Sequence, residues 1–167
     1  PVAVTALVPL ALFPILGITD IQNAANPYAN KIVYLFLGGF LIATAIQKWN
    51  LHKRIALFVL NNAGSNGASL ILGFMVTAAV ISMWVMNTAT TIMLLPIGLA
   101  VITVVKETVK GLSEKETENF QLALLLGIAY GATIGGMSTL IGTGPNGMLA
   151  AFMADNYGLD ISFVDWM

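Results

Sequence analysis

The sequence predicts an all-α integral membrane protein, and three observations carry that prediction. Of its 167 residues 57% are hydrophobic and 9% are charged, with a mean hydropathy of +0.86. An ordinary soluble domain carries roughly 25% charged residues, and the seven basic and eight acidic side chains here cannot clothe a globule of this size. Apolar runs of crossing length recur along the chain, and the charges collect in short segments between them. This composition excludes a typical soluble enzyme, a disordered chain and a disulfide scaffold. A net charge of −1 leaves no basic stripe for nucleic acid, and the absence of cysteine removes thiolate metal sites. The chain is apolar from Pro1, without the basic start of a signal peptide, and ends on Trp166-Met167; these ends lead us to expect part of a longer membrane protein.

A crossing of ~30 Å takes ~20 apolar residues in a helix. Residues 2–18 are a first candidate, containing Pro9 and Pro14, followed by a polar stretch from Asp20 to Lys31. Residues 32–47 are a second, with Gly38-Gly39 at the middle suited to close helix packing. Beyond Lys48-Trp49-Asn50, the residues Leu51, Ile55, Phe58 and Val59 mark one apolar face beside His52, Lys53 and Arg54. Residues 50–62 therefore read as an amphipathic helix in the membrane interface, with His52 at its surface. Asn61 to Gly67 form a loop by composition. Residues 68–105 hold no charge and are interrupted by Asn87-Thr88-Ala89-Thr90-Thr91. They form either two spans with a tight turn or a re-entrant hairpin. Residues 106–119 are a charged connector, and 120–154 are apolar again, broken at Gly135-Gly136 and at Gly142 to Gly147. The acidic tail with Asp155, Asp160 and Asp165 reads as interfacial.

The positive-inside rule is consistent with this assignment. One crossing at 32–47 separates Lys31 from Lys48, Lys53 and Arg54. Residues 68–105 return to the side they left, which places Lys106, Lys110 and Lys115 with the same cluster. That face is cytoplasmic; Lys31 and the acidic tail lie opposite.

Irregular backbone at membrane depth is tolerated only where it is buried in protein or lines a wet cavity, and such breaks point to a transporter binding site. There are two here, at 86–91 and 142–147. Asn87 offers a carbonyl oxygen to a cation and an NH₂ to a carboxylate, Thr88 adds a hydroxyl, and Ser82 lies about one turn away. The same residues would also serve as plain helix caps, and both readings stay open on the residues alone. In the second break Gly142, Gly144 and Gly147 match GxGxxG formally. Pro145 inside the turn, and the lack of a βαβ context, argue against a dinucleotide site; the glycines instead admit close approach of a ligand, or a simple kink. No nucleophile–base set, HExxH or buried acid pair is present, so no enzyme is expected, and the embedded runs lack the carboxylates of a proton relay.

Three stretches carry a family resemblance: Lys48-Trp49-Asn50-Leu51-His52-Lys53-Arg54-Ile55-Ala56-Leu57; Ser82-Met83-Trp84-Val85-Met86-Asn87-Thr88-Ala89-Thr90 with Leu95-Pro96-Ile97-Gly98; and Ile134 through Asn146. In this order they resemble the divalent anion:sodium symporter family, over roughly residues 15–160. That family comprises carriers of dicarboxylates such as succinate and, in some members, citrate or sulfate. The resemblance implies two inverted repeats, each with a re-entrant hairpin and a broken helix, of which this chain is the first. It implies scaffold helices over 1–49, a re-entrant hairpin over 68–105, and a broken helix with an outer tail over 120–167, with 68–167 belonging to the transport domain. A Ser-Asn-Thr triplet marks each hairpin tip in the family. Asn87 and Thr88 match its last two residues, which implies sodium and substrate contacts for Asn87 and substrate for Thr88. Ser82 and Gly142 match sodium positions, Gly142 through its backbone, and Thr143, Gly144 and Pro145 match the loop that faces substrate. Met86 stands where the triplet has serine, and a thioether is a poor ligand for a hard cation.

What the resemblance implies is a multi-pass protein of the inner or plasma membrane, coupling Na⁺ to the uptake of a di- or tricarboxylate. It would be surrounded by lipid, dimeric, and completed by a C-terminal repeat. The competing readings are a carrier of another oxyanion, a Na⁺/H⁺ antiporter, and an incomplete, non-transporting membrane fragment.

Overall fold

The structure, a computed structural model, describes residues 1–62, 66–109, 111 and 113–167, without the side chains of residues 59, 60 and 62. Lys110, part of the loop predicted over 61–67, and the Val59 side chain lie outside the described residues. Among the described residues all regular structure is helical, and they form two compact units, Pro1–Gly38 and Gly39–Met167.

In the first unit the apolar run 2–18 does not make one crossing helix. It forms α1 (Val2–Thr5) and α2 (Val8–Ile15). Proline lacks an N–H, and its ring clashes with the carbonyl four residues back; four residues before Pro9 stands Thr5, the last residue of α1. Gly17, at φ +68°, turns the chain out of α2. In the polar stretch Asp20 caps α3 (Ile21–Ala25) by accepting from the Asn23 N–H at 2.7 Å. A 3₁₀ turn, Asn26–Ala29, follows, and its Tyr28 hydroxyl donates to the Ala6 carbonyl at 2.6 Å.

Among the described residues three helices are long and apolar enough to cross a membrane: α4 (Lys31–Lys48), α7 (Asn87–Thr108) and α8 (Glu114–Met137). Large apolar side chains stand on their outer faces, including Leu41, Ile92, Leu122 and Ile134, all more than half exposed. In water such a surface would be a liability, whereas against hydrocarbon it costs nothing.

The second unit is built on close helix contacts. Gly39 and Ala43 are buried on α4, and a Cβ on Gly39 would come within 3.0 Å of the Ile141 Cδ1. Asn50, at φ 52°, turns the chain into α5 (Leu51–Asn62), which packs on α6 (Gly67–Ser82). The inward face of α5 corrects the sequence reading. His52 is 5% exposed and Ala56 is fully buried, whereas Leu51 and Phe58 are exposed. His52 and Ala56 are one turn apart, and the small Ala56 lets α5 lie close to its neighbour. The His52 Nδ1 is buried there without a hydrogen-bond partner.

α6 packs most extensively on α8. A Cβ on Gly127 would meet Met75 and Ile71, one on Gly131 would lie 2.5 Å from the Met75 carbonyl oxygen, and one on Gly135 would strike the Ala79 backbone. Both series advance in the same direction by fours, so α6 and α8 run parallel, backbone against backbone along a glycine stripe. Without a hydrophobic force between helices in lipid, such close approach is what holds them together. The run Gly135-Gly136, read as a break, lies inside α8. α8 is opened by a Ser113–Glu116 capping box and is followed by a non-helical segment, 138–143. α9 (Gly144–Tyr157) then runs to Gly158 at φ 66°, and α10 (Phe163–Trp166) closes the chain. The connector predicted over 106–119 is shorter than expected, because α7 continues to Thr108 and α8 begins at Glu114.

Candidate functional site

The parallel register of α6 and α8 brings their C-terminal ends to the same level, and both interruptions lie there. The first is 83–86, between α6 and α7. The polar run Asn87 to Thr91, read as the break itself, is the first turn of α7. The second is 138–143, and Gly144, Pro145, Asn146 and Gly147 already belong to α9. In both cases polar residues open a helix instead of interrupting one.

Ser82 is fully buried, and its hydroxyl donates to Asn87 Oδ1 at 2.8 Å across the first turn. Asn87 lies against Gly136, where a Cβ would coincide with the Asn87 amide. Gly142 lies against the same glycine: a Cβ there would be 2.5 Å from the Gly136 carbonyl oxygen. Asn87 and Gly142 thus both lie against Gly136, and Ser82 joins them through its bond to Asn87. Thr88 and Pro145 are exposed, and Thr143 and Gly144 are half-buried.

Two further residues shape the site. Asn146 is 8% exposed, and its Nδ2 donates to the carbonyls of Gly136 at 2.9 Å and Thr139 at 2.8 Å. It pulls the 138–143 segment back onto the end of α8. The fully buried Thr139 donates to the Met83 carbonyl at 2.5 Å. Sequence reasoning gave neither a role, although both lie within the motif that carried the resemblance.

The tips are electrically bare. No Asp, Glu, Lys, Arg or His occurs over residues 67–105 or 120–154. Polarity there comes from side-chain oxygens, amides and backbone. Side chains close the N-termini of α3, α6, α8 and α10, through Asp20, Asn66, Ser113 and Ser162. Met86 before α7 and Thr143 before α9 make no side-chain capping bond. First-turn N–H groups left without a capping side chain, at the positive end of a helix dipole, suit an anion. Oxygen donors such as Ser82 Oγ and Asn87 Oδ1 suit a hard cation. A separate apolar cleft of about 390 Å³, lined by Ile42, Ile46, Leu51, Ile55, Val80, Ile81 and Trp84, includes none of the tip oxygens.

Crossing-length apolar helices beside two interrupted, oxygen-lined segments are consistent with a multi-pass membrane transporter. The chain belongs to the citrate transporter family, CitMHS, whose model matches residues 1–167. It is 42% identical to the sodium-dependent dicarboxylate transporter SdcS of Staphylococcus saprophyticus, over 100% of this chain and 32% of that protein. It is 40% identical to SdcS of Staphylococcus aureus, with the same coverage. The chain spans about a third of the length of these relatives.

Proposed function

We propose that this chain is the N-terminal repeat of an elevator-type carrier that couples sodium to the movement of a dicarboxylate such as succinate. The observation that carries the reading is the pair of helix N-termini without side-chain caps, α7 and α9, whose preceding segments are joined by the bond from Thr139 to Met83 next to the Ser82–Asn87 pair, in segments without a charged side chain. Sodium binds through Ser82, Asn87 and the Gly142 backbone. On arrival it takes the Asn87 carbonyl oxygen and the Ser82 oxygen, and the Ser82 proton turns away. The substrate carboxylate then meets the Asn87 NH₂, Thr88, and the open N-termini of α7 and α9 beside Thr143, Gly144 and Pro145. A dianion at depth is costly without compensating charge. With no cationic side chain at these tips, the co-bound cation supplies that compensation. The relatives' names, sodium-dependent dicarboxylate transporters, agree with this.

α6 has 16 residues, about 24 Å, which is short of the ~30 Å hydrocarbon core. This supports reading α6 and α7 as a re-entrant hairpin, with α8 and α9 as the broken helix. A second, inverted repeat would complete the binding site.

Uptake of labelled succinate into proteoliposomes holding the full-length carrier tests the proposal. Uptake is expected to require Na⁺ and to fall at least about tenfold at limiting Na⁺ in Asn87→Ala, since the buried Ser82 hydroxyl loses its partner. Sodium-dependent uptake that survives Asn87→Ala unchanged would remove Asn87 from the site.

A further inference from the structure

The ligand set proposed above leaves Thr139 without a part, yet its hydroxyl bonds to both tips at once. It donates to the Met83 carbonyl at 2.5 Å and accepts the Gly142 N–H at 3.1 Å, and the side chain is fully buried. Met83 follows Ser82 and belongs to the first tip; Gly142 belongs to the second. Both capacities of the hydroxyl, donor and acceptor, are used at once. The Gly142 N–H is shared with the Thr139 carbonyl oxygen at 3.3 Å, so the loop is already turned there by its own backbone. What the hydroxyl adds is the link across to Met83. Asn146 holds the other side of the same loop, through Gly136 and Thr139.

Other threonines in these helices behave differently. Thr77, Thr91 and Thr133 each donate to the carbonyl four residues back in their own helix, at Gly73, Asn87 and Ala129. Thr139 instead reaches a residue 56 positions away. A buried hydroxyl that satisfies one backbone group in each of two non-helical segments fixes their separation. Met83 directly follows Ser82, and Asn87 and Gly142 both lie against Gly136, so that separation bears on the distance between oxygens from opposite tips.

We propose that Thr139 is a positioning residue that holds the two tips at the spacing sodium requires. The inference rests on the sodium set Ser82, Asn87 and Gly142. Thr139 touches neither ion nor substrate; it acts through Met83 and Gly142.

The test compares Thr139→Val, which keeps the shape and loses the hydroxyl, Thr139→Ala, which avoids any packing change from valine, and Thr139→Ser, which restores the hydroxyl. Two titrations are run on the full-length carrier. One is succinate uptake against Na⁺ in proteoliposomes. The other is thermal unfolding in detergent against NaCl, with choline chloride as the control, which reads sodium binding without transport. In Thr139→Val the half-saturating Na⁺ is expected to rise about tenfold in both titrations, from the loss of one buried hydrogen-bonding group. Uptake at saturating Na⁺ is expected to stay close to that of the unsubstituted carrier, and Thr139→Ser to lie near it throughout. A lowered unfolding temperature with an unmoved sodium midpoint would show a purely structural threonine and overturn the proposal. So would a serine variant as displaced as valine, or failure of both valine and alanine variants to fold. If the unsubstituted carrier responds to sodium in the unfolding titration but takes up no succinate, the substrate reading falls, and Thr139 is judged on that titration alone. If it shows no sodium response, both proposals fall together.

Discussion

Met86 occupies the N-cap of α7 without capping it, and stands 47% exposed. A serine there closes one first-turn N–H, so Met86→Ser is expected to stabilise the protein by about 1 kcal/mol, read from thermal unfolding in detergent. Gly136 presents the opposite case. Because a Cβ would fall on the Asn87 amide, Gly136→Ala is expected to displace Asn87 and abolish sodium-dependent uptake while leaving α8 helical. Retained uptake with a normal sodium midpoint would show that Asn87 can move without consequence. At this scale Ser82, Asn87 and Gly142 stood out as candidates, since polar residues and glycines are conspicuous inside uncharged runs, and the structure brings Ser82 onto Asn87. Thr139 was not, because a threonine in an apolar helix commonly returns its hydroxyl to its own backbone, as Thr77 and Thr133 do. His52 was misplaced for a related reason. Beside Lys53 and Arg54 it looked like part of a solvated face, and only the packing of α5 on α6 shows that it turns inward.

Helix contacts make their own predictions. Gly131 has the Met75 backbone 2.5 Å from where its Cβ would stand, whereas Gly98 faces only the tip of the Ile128 side chain, at 3.0 Å. Gly131→Ala must push two backbones apart and is expected to cost about 1–3 kcal/mol. Gly98→Ala needs a small shift of one methyl group and is expected to unfold close to the parent temperature; the two variants are compared in one thermal scan. In α10 the Ser162 hydroxyl, and then its backbone N–H, hold the Asp165 carboxyl below its ordinary value of 3.8. A lowered folded value means that the cap contributes fully above 3.8 and is lost as pH falls through the folded value. Acidification below that point is expected to loosen α10 and the bond from Trp166 Nε1 to the Met137 carbonyl, 3.0 Å long. Hydrogen exchange at the Asp165 amide checks this, with Asp165→Asn as a pH-insensitive reference. The apolar helix near 32–47 and a helix near 50–62 were legible from hydropathy and charge, but not which face of the second turns inward. Helix ends were not. Paired glycines at 135 and 136 resemble a break, but in lipid they serve as a contact surface, and the true interruption falls just beyond them.

For the whole molecule, the parallel run of α6 and α8 decides which polar residues meet, and no periodicity in either segment announces the pairing. It joins tips more than fifty residues apart in sequence, as the bond from Thr139 to Met83 records. The bareness of those tips has an electrical consequence. A membrane potential does work on charge alone, about 2.3 kcal/mol per elementary charge for each 100 mV. With no Asp, Glu, Lys, Arg or His over 67–105 or 120–154, these tips carry no side-chain charge of their own on which the field could act. In the proposed carrier the charge carried at these tips in a loaded step would be that of the cargo, and the empty tips would add none.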